Sequence, residues 1–392
     1  MPLKANLMKI TRQYTIQMVD LYGQYLRLKD EIDAAIADVI ETSSYINGPA
    51  VGQFASELAE YNNIKHAVPC ANGTDALQLA MMGLELRHGD EVIVPSFTYV
   101  ATAEVIALLG LTPVFVDVDP DTFLIAPQSI KDSITSRTKA IVPVHLYGQC
   151  ADMEAILDIA KAHSLFVIED TAQAIGAEFT FSDGTKKKAG TIGTVGTTSF
   201  FPSKNLGCYG DGGALFVQDE NLARKIQVIA NHGQRVKYYH DLVGVNSRLD
   251  TMQAAILRVK LRELNNYCSK RNRTADFYDK QLGNLAALTL PQRMANSSHV
   301  FHQYTLKCNT FNRDDLKQFL ADRGIPSMVY YPVPLHLQKA YRSYGYTEGD
   351  LPVSEDLAAR VLSLPIHTEQ QEEELRFITD SVKEFLATNN LA

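Results

Sequence analysis

The chain has 392 residues, past the length at which one core keeps growing, so two domains are expected. Its formal net charge of −8, with no basic block, argues against nucleic acid as a partner. No apolar run is long enough for a membrane span, and the first residues, MPLKANLMKITRQYTIQMVDL, lack the apolar core and cleavage site of an export signal. Cys70, Cys150, Cys208, Cys268 and Cys308 are scattered and never form CxxC, which argues against a disulfide framework or a zinc site and fits a reducing cytosol.

Residues 1–16 show no clear period and read as a loose extension. Leu21, Tyr25, Leu28, Ile32, Ile36 and Val39 recur at helical spacing. Asn47-Gly48-Pro49 then signals a turn. A second helix is expected over residues 51–61, before a short apolar piece at 67–70. In ANGTDALQLAMMGL, residues 72–75 read as loop and cap and residues 76–84 as helix. Small polar residues at a helix start leave N–H groups free and point the positive end of the dipole outward, which suits a phosphate. Plain capping by Thr74 or Asp75 explains the same residues.

A strand at 91–94 leads into a turn carrying Tyr99 and a helix ending near Gly110. Strands follow at 114–117 and 140–144, the second running into HLYGQ, and then a helix at 153–163. The apolar strand 165–168 ends in Glu169-Asp170-Thr171-Ala172-Gln173. Strand and helix alternate, and most strands are apolar on both faces, the pattern of a mainly parallel sheet covered by helices. Ligands in such sheets sit at the carboxyl ends of strands, where Tyr99, Asp170 and Gln173 fall.

Residues 182–190, SDGTKKKAG, read as a solvated hairpin tip. A β-leaning run at 197–201 stops at Pro202, with Ser199 near its end and Lys204 just beyond. Gly207, Gly210, Gly212 and Gly213 follow, interrupted by Asp211, before an apolar strand at 214–217. A lysine in a bend between strands cannot cover apolar surface with its stem, and the glycines let the backbone pass close to a bound group. The functional reading is a Schiff-base lysine in a cofactor pocket; the plainer one is a solvated loop lysine. Cys208 reads as a packing residue. A helix at 221–232, a polar loop and a long helix at 251–272 lead to a smaller α+β part with a strand at 300–306, a helix at 313–323, YYPVPLHLQKAY and two terminal helices. The expected divisions are 1–16 (extension), 17–255 (large domain) and 256–392 (bridging helix and small domain).

Taken together, a strand-end aspartate, a nearby glutamine, a serine, a lysine, a polar helix start and an aromatic turn meet the needs of pyridoxal 5'-phosphate. That cofactor wants an amine for its aldehyde and a carboxylate that keeps its ring nitrogen protonated. It also wants an aromatic face and donors for its phosphate.

NGTDAL, PSFTYVAT, EDTAQAIGAE, SFFPSKNLG followed by YGDGGA, and GVNSRLDTMQAAIL resemble the DegT/DnrJ/EryC1/StrS family, from about Val19 to the C-terminus. These are pyridoxal-phosphate-dependent aminotransferases acting on nucleotide-linked keto sugars. The resemblance implies the aspartate aminotransferase type I fold: α/β, with a large, mostly parallel domain and a smaller C-terminal α+β domain. It implies catalytic roles for Lys204, as Schiff-base lysine and proton shuttle, and for Asp170, as partner of the ring nitrogen. Gln173 is implied beside the ring, Tyr99 stacked on it, and Gly73, Thr74 and Ser199 on the phosphate. Asn246 is implied to reach the phosphate from a partner subunit, making a homodimer with composite sites. Plainer readings stay open: a helix cap for Asp170, core for Tyr99, a turn former for Asn246.

L-glutamate is the implied amino donor. Arg248 is a candidate for a substrate carboxylate or phosphate, or for an ion pair with Asp250 or Asp241. His302 and Tyr304 of VFHQYTL and Tyr331 and His336 of YYPVPLH complete the expected substrate residues, though either histidine can be core. The arginine and HQYT most resemble the subgroup acting on UDP-2-acetamido-2-deoxy-3-oxo-glucuronate, for surface polysaccharide such as lipopolysaccharide O-antigen. The alternative is a dTDP- or UDP-linked 4-keto or 3-keto-6-deoxy sugar. A dehydratase relative would carry histidine in place of Lys204, and a regulatory homologue would be free to lose Lys204, Asp170 or Gln173. All three stand.

Overall fold

The computed structural model describes residues 16–391. The extension expected over residues 1–16 therefore lies outside the described residues, except for Ile16, which is buried against the C-terminal core.

Helix α1 (Leu21–Glu41) starts where the Asp20 side chain accepts from the Gly23 N–H at 2.7 Å, and its apolar period buries Ile32 and Val39. Helix α2 (Pro49–Asn62) has proline in its first turn. Strand β1 (His66–Cys70) leads to α3 (Gly73–Gly83). This helix starts three residues earlier than the sequence suggests. Its cap is Asn72, whose side chain accepts from the Asp75 N–H at 2.8 Å, not Thr74 or Asp75. Gly73 and Thr74 thus lie in the first turn, where N–H groups have no intrahelical acceptor.

The central unit continues through β2 (Glu91–Pro95), α4 (Ala101–Leu108), β3 (Thr112–Val116), α5 (Pro127–Asp132), β4 (Thr138–Ile141), α6 (Met153–His163) and β5 (Phe166–Asp170). A small hairpin follows, β6 (Glu178–Thr180) and β7 (Lys186–Lys188), where the solvated tip is expected, and then β8 (Val195–Ser199) and β9 (Gly213–Val217). Seven strands form one sheet in the order β1-β9-β8-β5-β4-β2-β3. All pairs are parallel except those of β9, which runs against both β8 and β1. One face packs Ile93, Ile141 and Val167 against Ile156 of α6. The other packs Val92, Val94 and Ile168 against Leu77 of α3 and Ile226 of α7 (Glu220–Ala230). Both strand faces are buried, as their apolar runs require.

The polar loop after α7 contains a hairpin, β10 (Gln234–Val236) with β11 (Tyr239–His240). The helix expected over 251–272 is two helices, α8 (Thr251–Leu261) and α9 (Leu264–Leu282), broken at Arg262 and Glu263. A three-stranded antiparallel sheet gathers β12 (Leu288–Thr289), β13 (Tyr304–Cys308) and, after α10 (Arg313–Asp322) and α11 (Pro352–Arg360), β14 (Val361–Leu364). Helix α12 (Glu372–Thr388) packs Ile378, Val382 and Leu386 into its core. The strand expected from residue 300 begins only at Tyr304. Residues before it bond to the HLYG turn instead: Val300 N–H donates to Gly148 O at 2.8 Å, and His299 bridges Gln149.

Candidate active site

The carboxyl ends of β1, β5 and β8 lie along one sheet edge. Asp170 is the last residue of β5, and Glu169 before it faces the other side, as strand alternation demands. Glu169 is fully buried and fully used. It accepts from the N–H groups of Gly190 at 2.9 Å, Ile192 at 2.7 Å and Gly193 at 2.6 Å, and from His145 Nε2 at 2.9 Å. The strand end is thereby fixed from behind. On the opposite face, Thr102 Oγ1 donates to Asp170 Oδ2 at 2.9 Å, and the Ala172 N–H donates to Oδ1 at 3.1 Å. Thr102 is a residue that sequence reasoning passed over. It stands inside PSFTYVAT, yet only the fold reveals its partner.

Lys204 follows the end of β8 in a turn closed by its own N–H donating to Phe201 O at 2.8 Å. Its side chain has no hydrogen bond or ion pair among the described residues. Burial pushes its ammonium down to about 8, opposed by the charge of Asp170, which raises it. A lysine so placed is partly neutral near physiological pH, as a nucleophile and proton carrier needs.

The turn is held tightly. A Cβ on Gly207 would lie 2.2 Å from Pro202 O, so only glycine fits. Helix α8 grips the same turn with two residues on one face. Gln253 Oε1 accepts from the Tyr209 N–H at 2.8 Å and its Nε2 donates to Tyr209 O at 3.2 Å, while the buried Lys260 donates to Gly207 O. Cys208 is buried and its thiol is pushed up to about 11 by burial, in keeping with a packing role.

The start of α3 abuts the same edge. A Cβ on Gly73 would come within 2.6 Å of Ser199 Cβ, and one on Gly213 within 2.4 Å of Asn72 O. Gly73, Thr74 and Ser199 thus form one corner. The GVNSRLD loop is tied beside it, the Ala71 N–H donating to Ser247 Oγ at 3.2 Å. Asn246 in that loop is exposed, and Arg248 is half-buried. The ion pair of Arg248 with Asp250 or Asp241 does not form among the described residues; Asp241 pairs with Arg235 at 3.6 Å instead.

Gln173 is fixed at both ends of its amide. Its Oε1 accepts from the Tyr147 N–H at 2.7 Å, and its Nε2 donates to the Tyr331 hydroxyl at 3.1 Å. The Tyr331 ring lies 6.1 Å from that of Tyr99, which is 56% exposed and free to cover a planar ligand. His302 is buried within the field of Lys204. Burial first, then the charges of Lys204 and Arg271, hold it well below the ordinary histidine range, and its Nδ1 has no partner.

Two expected substrate residues take other partners. The Tyr304 hydroxyl donates to Asp279 Oδ1 at 2.8 Å, with its ring 4.8 Å from that of Tyr278 in the C-terminal core. His336 is buried between Ser96 and Glu355.

The described residues fit pyridoxal phosphate on three counts. An unpaired, partly neutral lysine lies within the field of an anchored aspartate. A tight glycine–serine corner sits at a helix start. An exposed tyrosine ring stands beside a glutamine fixed at both ends.

Residues 26–383 match the model of the DegT/DnrJ/EryC1/StrS aminotransferase family. The chain is 47% identical over 352 residues to the UDP-2-acetamido-2-deoxy-3-oxo-D-glucuronate aminotransferase of Pseudomonas aeruginosa, covering 90% of this chain and 95% of that one. It is 46% identical over 372 residues to a protein of Geobacillus stearothermophilus named a pleiotropic regulatory protein, covering 94% and 98%. The crystal structure of S. venezuelae DesV in complex with a ketimine intermediate matches with a TM-score of 0.91 and 41% identity, over 95% of this chain and 98% of that one.

Proposed function

The chain belongs to the DegT/DnrJ/EryC1/StrS aminotransferase family, a pyridoxal-phosphate-dependent enzyme of nucleotide sugars, and we propose that it moves an amino group from L-glutamate to UDP-2-acetamido-2-deoxy-3-oxo-glucuronate. Its product would be a 2,3-diamino sugar acid for surface polysaccharide such as lipopolysaccharide O-antigen. The five free cysteines suit the cytoplasm, and no helix of the described residues is long and apolar enough to cross a membrane. A purely regulatory role sits poorly with the retention of Lys204, Asp170 and Gln173.

When bound, pyridoxal phosphate supplies an electron sink for the carbon that loses a proton. The chain's residues do the rest. Gly73, Thr74 and Ser199 would hold the phosphate with helix-start N–H groups and hydroxyls. Asp170, steadied by Thr102 and the Ala172 N–H, would keep the ring nitrogen protonated. Tyr99 would offer its face to the ring, and Gln173, locked by Tyr147 and Tyr331, would lie beside it. Lys204 would supply the amine for the aldehyde and carry the proton. Burial sets its basicity for both tasks. Of the expected substrate residues, His302 lies within the field of Lys204 and Tyr331 bonds to Gln173, so these two stand beside the candidate cofactor site.

Arg248 carries the choice of sugar. It is a half-buried guanidinium with no carboxylate among the described residues, two positions from Asn246. A guanidinium holds a carboxylate through two parallel bonds that lysine cannot reproduce. Truncating one partner of such a pair costs about 2–5 kcal/mol. Arg248→Ala should therefore raise KM for the uronic-acid sugar while the glutamate half-reaction stays near wild type. A neutral 6-hydroxymethyl analogue should be a poor substrate for wild type and lose far less on mutation. If the variant treats both sugars as wild type does, Arg248 is structural and the 4-keto or 3-keto-6-deoxy sugar reading gains.

The hairpin before this loop supports a homodimer with composite sites. Val236, Tyr238, Tyr239 and Val243 are 62%, 78%, 70% and 88% exposed, an apolar group left uncovered among the described residues. A second copy would bury it and receive Asn246 and Arg248 into its own site. Mixing Lys204→Ala and Arg248→Ala subunits should then restore part of the activity that each lacks, since a mixed dimer holds one intact site. A fully active monomer by light scattering, or no recovery on mixing, would remove the composite site.

A further inference from the structure

We propose that Ser96, His336 and Glu355 form a positioning relay that sets the aromatic wall of the cofactor pocket, and that His336 does not touch the sugar. The proposal rests on the reading of Lys204 and Asp170 given above.

His336 is 1% exposed, and both its ring nitrogens are occupied. Nδ1 lies 2.7 Å from Ser96 Oγ and Nε2 lies 3.1 Å from Glu355 Oε1. Facing a carboxylate, a neutral His336 would carry its proton on Nε2 and accept from the Ser96 hydroxyl at Nδ1. That hydroxyl oxygen in turn accepts from the His336 backbone N–H at 3.3 Å, and Ser96 O accepts from the Leu335 N–H at 2.8 Å. Glu355, in the first turn of α11, is itself fixed by the N–H groups of Gly349 at 2.9 Å and Leu351 at 3.3 Å. Tyr346 closes the remaining side, its ring edge-on to the imidazole at 6.1 Å. No nitrogen is left over for a ligand.

The relay joins two segments distant in sequence and close in function. Ser96 lies just past the end of β2, three residues before Tyr99. His336 lies five residues after Tyr331. Those two rings stand 6.1 Å apart, and the Tyr331 hydroxyl receives the Gln173 amide. The pocket wall is thus assembled from two pieces of chain, and Ser96–His336 is the polar tie that sets one against the other. Misplacement by about 1 Å at a reacting centre can cost about a hundredfold in rate, so such a wall needs a fixed register.

Asparagine at position 336 can reach where Nδ1 stands, toward Ser96; glutamine reaches toward Glu355. The test is made on the full chain, after wild type has been shown to take up pyridoxal phosphate on Lys204. Ser96→Ala and His336→Gln should shift the absorbance maximum of the bound cofactor. They should also weaken its retention about tenfold, the loss of one buried hydrogen bond, and lower kcat with little change in KM for the sugar. His336→Asn should recover most of the wild-type spectrum and affinity. Two outcomes overturn the relay. In one, Ser96→Ala behaves as wild type while the His336 variants raise only the sugar KM, which makes His336 a contact residue. In the other, every variant holds cofactor with the wild-type spectrum and merely unfolds at lower temperature. A wild type that takes up no cofactor would sink the underlying reading, and the relay with it.

Discussion

Lys204→Ala is expected to abolish turnover, by at least ~10²–10⁴ from the proton-transfer role alone, without destabilising the fold. Its amine has no hydrogen bond or ion pair to lose among the described residues, and burial already disfavours its charge. Removing it therefore breaks no hydrogen bond, and Asp170, which loses a nearby positive charge, keeps its bonds from Thr102 and the Ala172 N–H. Borohydride treatment of the loaded wild type should fix the cofactor to the peptide carrying Lys204. Lys260 is the natural control. It too is buried and pushed down to about 8 by burial, but it is occupied by Gly207 O and stands over the Tyr209 ring. Label on Lys260, or an active alanine variant, would refute the assignment of Lys204.

Asp170→Asn should slow both half-reactions strongly while some cofactor remains bound. An amide cannot hold the ring nitrogen's proton by charge, and the electron sink weakens accordingly. The same substitution should change how Lys204 titrates. In the cofactor-free protein the lysine titrates near 8, below its ordinary value because of burial, and Asp170 raises it from where burial alone would leave it. Capture of the aldehyde needs the neutral amine, so capture by wild type should rise with pH through about 8. Without the Asp170 charge the midpoint should move to lower pH. Rates close to wild type, or a midpoint that stays put or moves up, would contradict the pairing.

Much of the architecture is legible in the sequence because it rests on local period. The strand ending at Asp170 and the turn carrying Lys204 are marked by apolar runs and by proline and glycine. Boundaries set by a single side chain are not marked. Asn72 rather than Thr74 or Asp75 caps α3, and several residues of that stretch are good caps. The break at Arg262–Glu263 carries no glycine or proline, so a continuous helix is the natural reading.

Long-range partners are silent in the sequence. Nothing in YYPVPLH points to Ser96, 240 residues away. Nothing in HQYT says that Tyr304 will meet Asp279, or that Thr102 will meet Asp170. Arg248 is the reverse case. Two aspartates close in sequence offered it an ion pair, and the fold brings neither to it. These residues were legible as types and positions, while their partners depend on packing between distant segments.

The acceptor sugar is the most exacting test of the proposed activity. The enzyme would be loaded with pyridoxamine phosphate and given keto sugar nucleotides one at a time, with the return of the pyridoxal absorbance as readout. With the proposed specificity, the fastest return comes with UDP-2-acetamido-2-deoxy-3-oxo-glucuronate, a slower one with its neutral 6-hydroxymethyl counterpart, and the slowest with 4-keto-6-deoxy sugars. Rapid return with a neutral deoxy sugar, and none with the uronic acid, would contradict it.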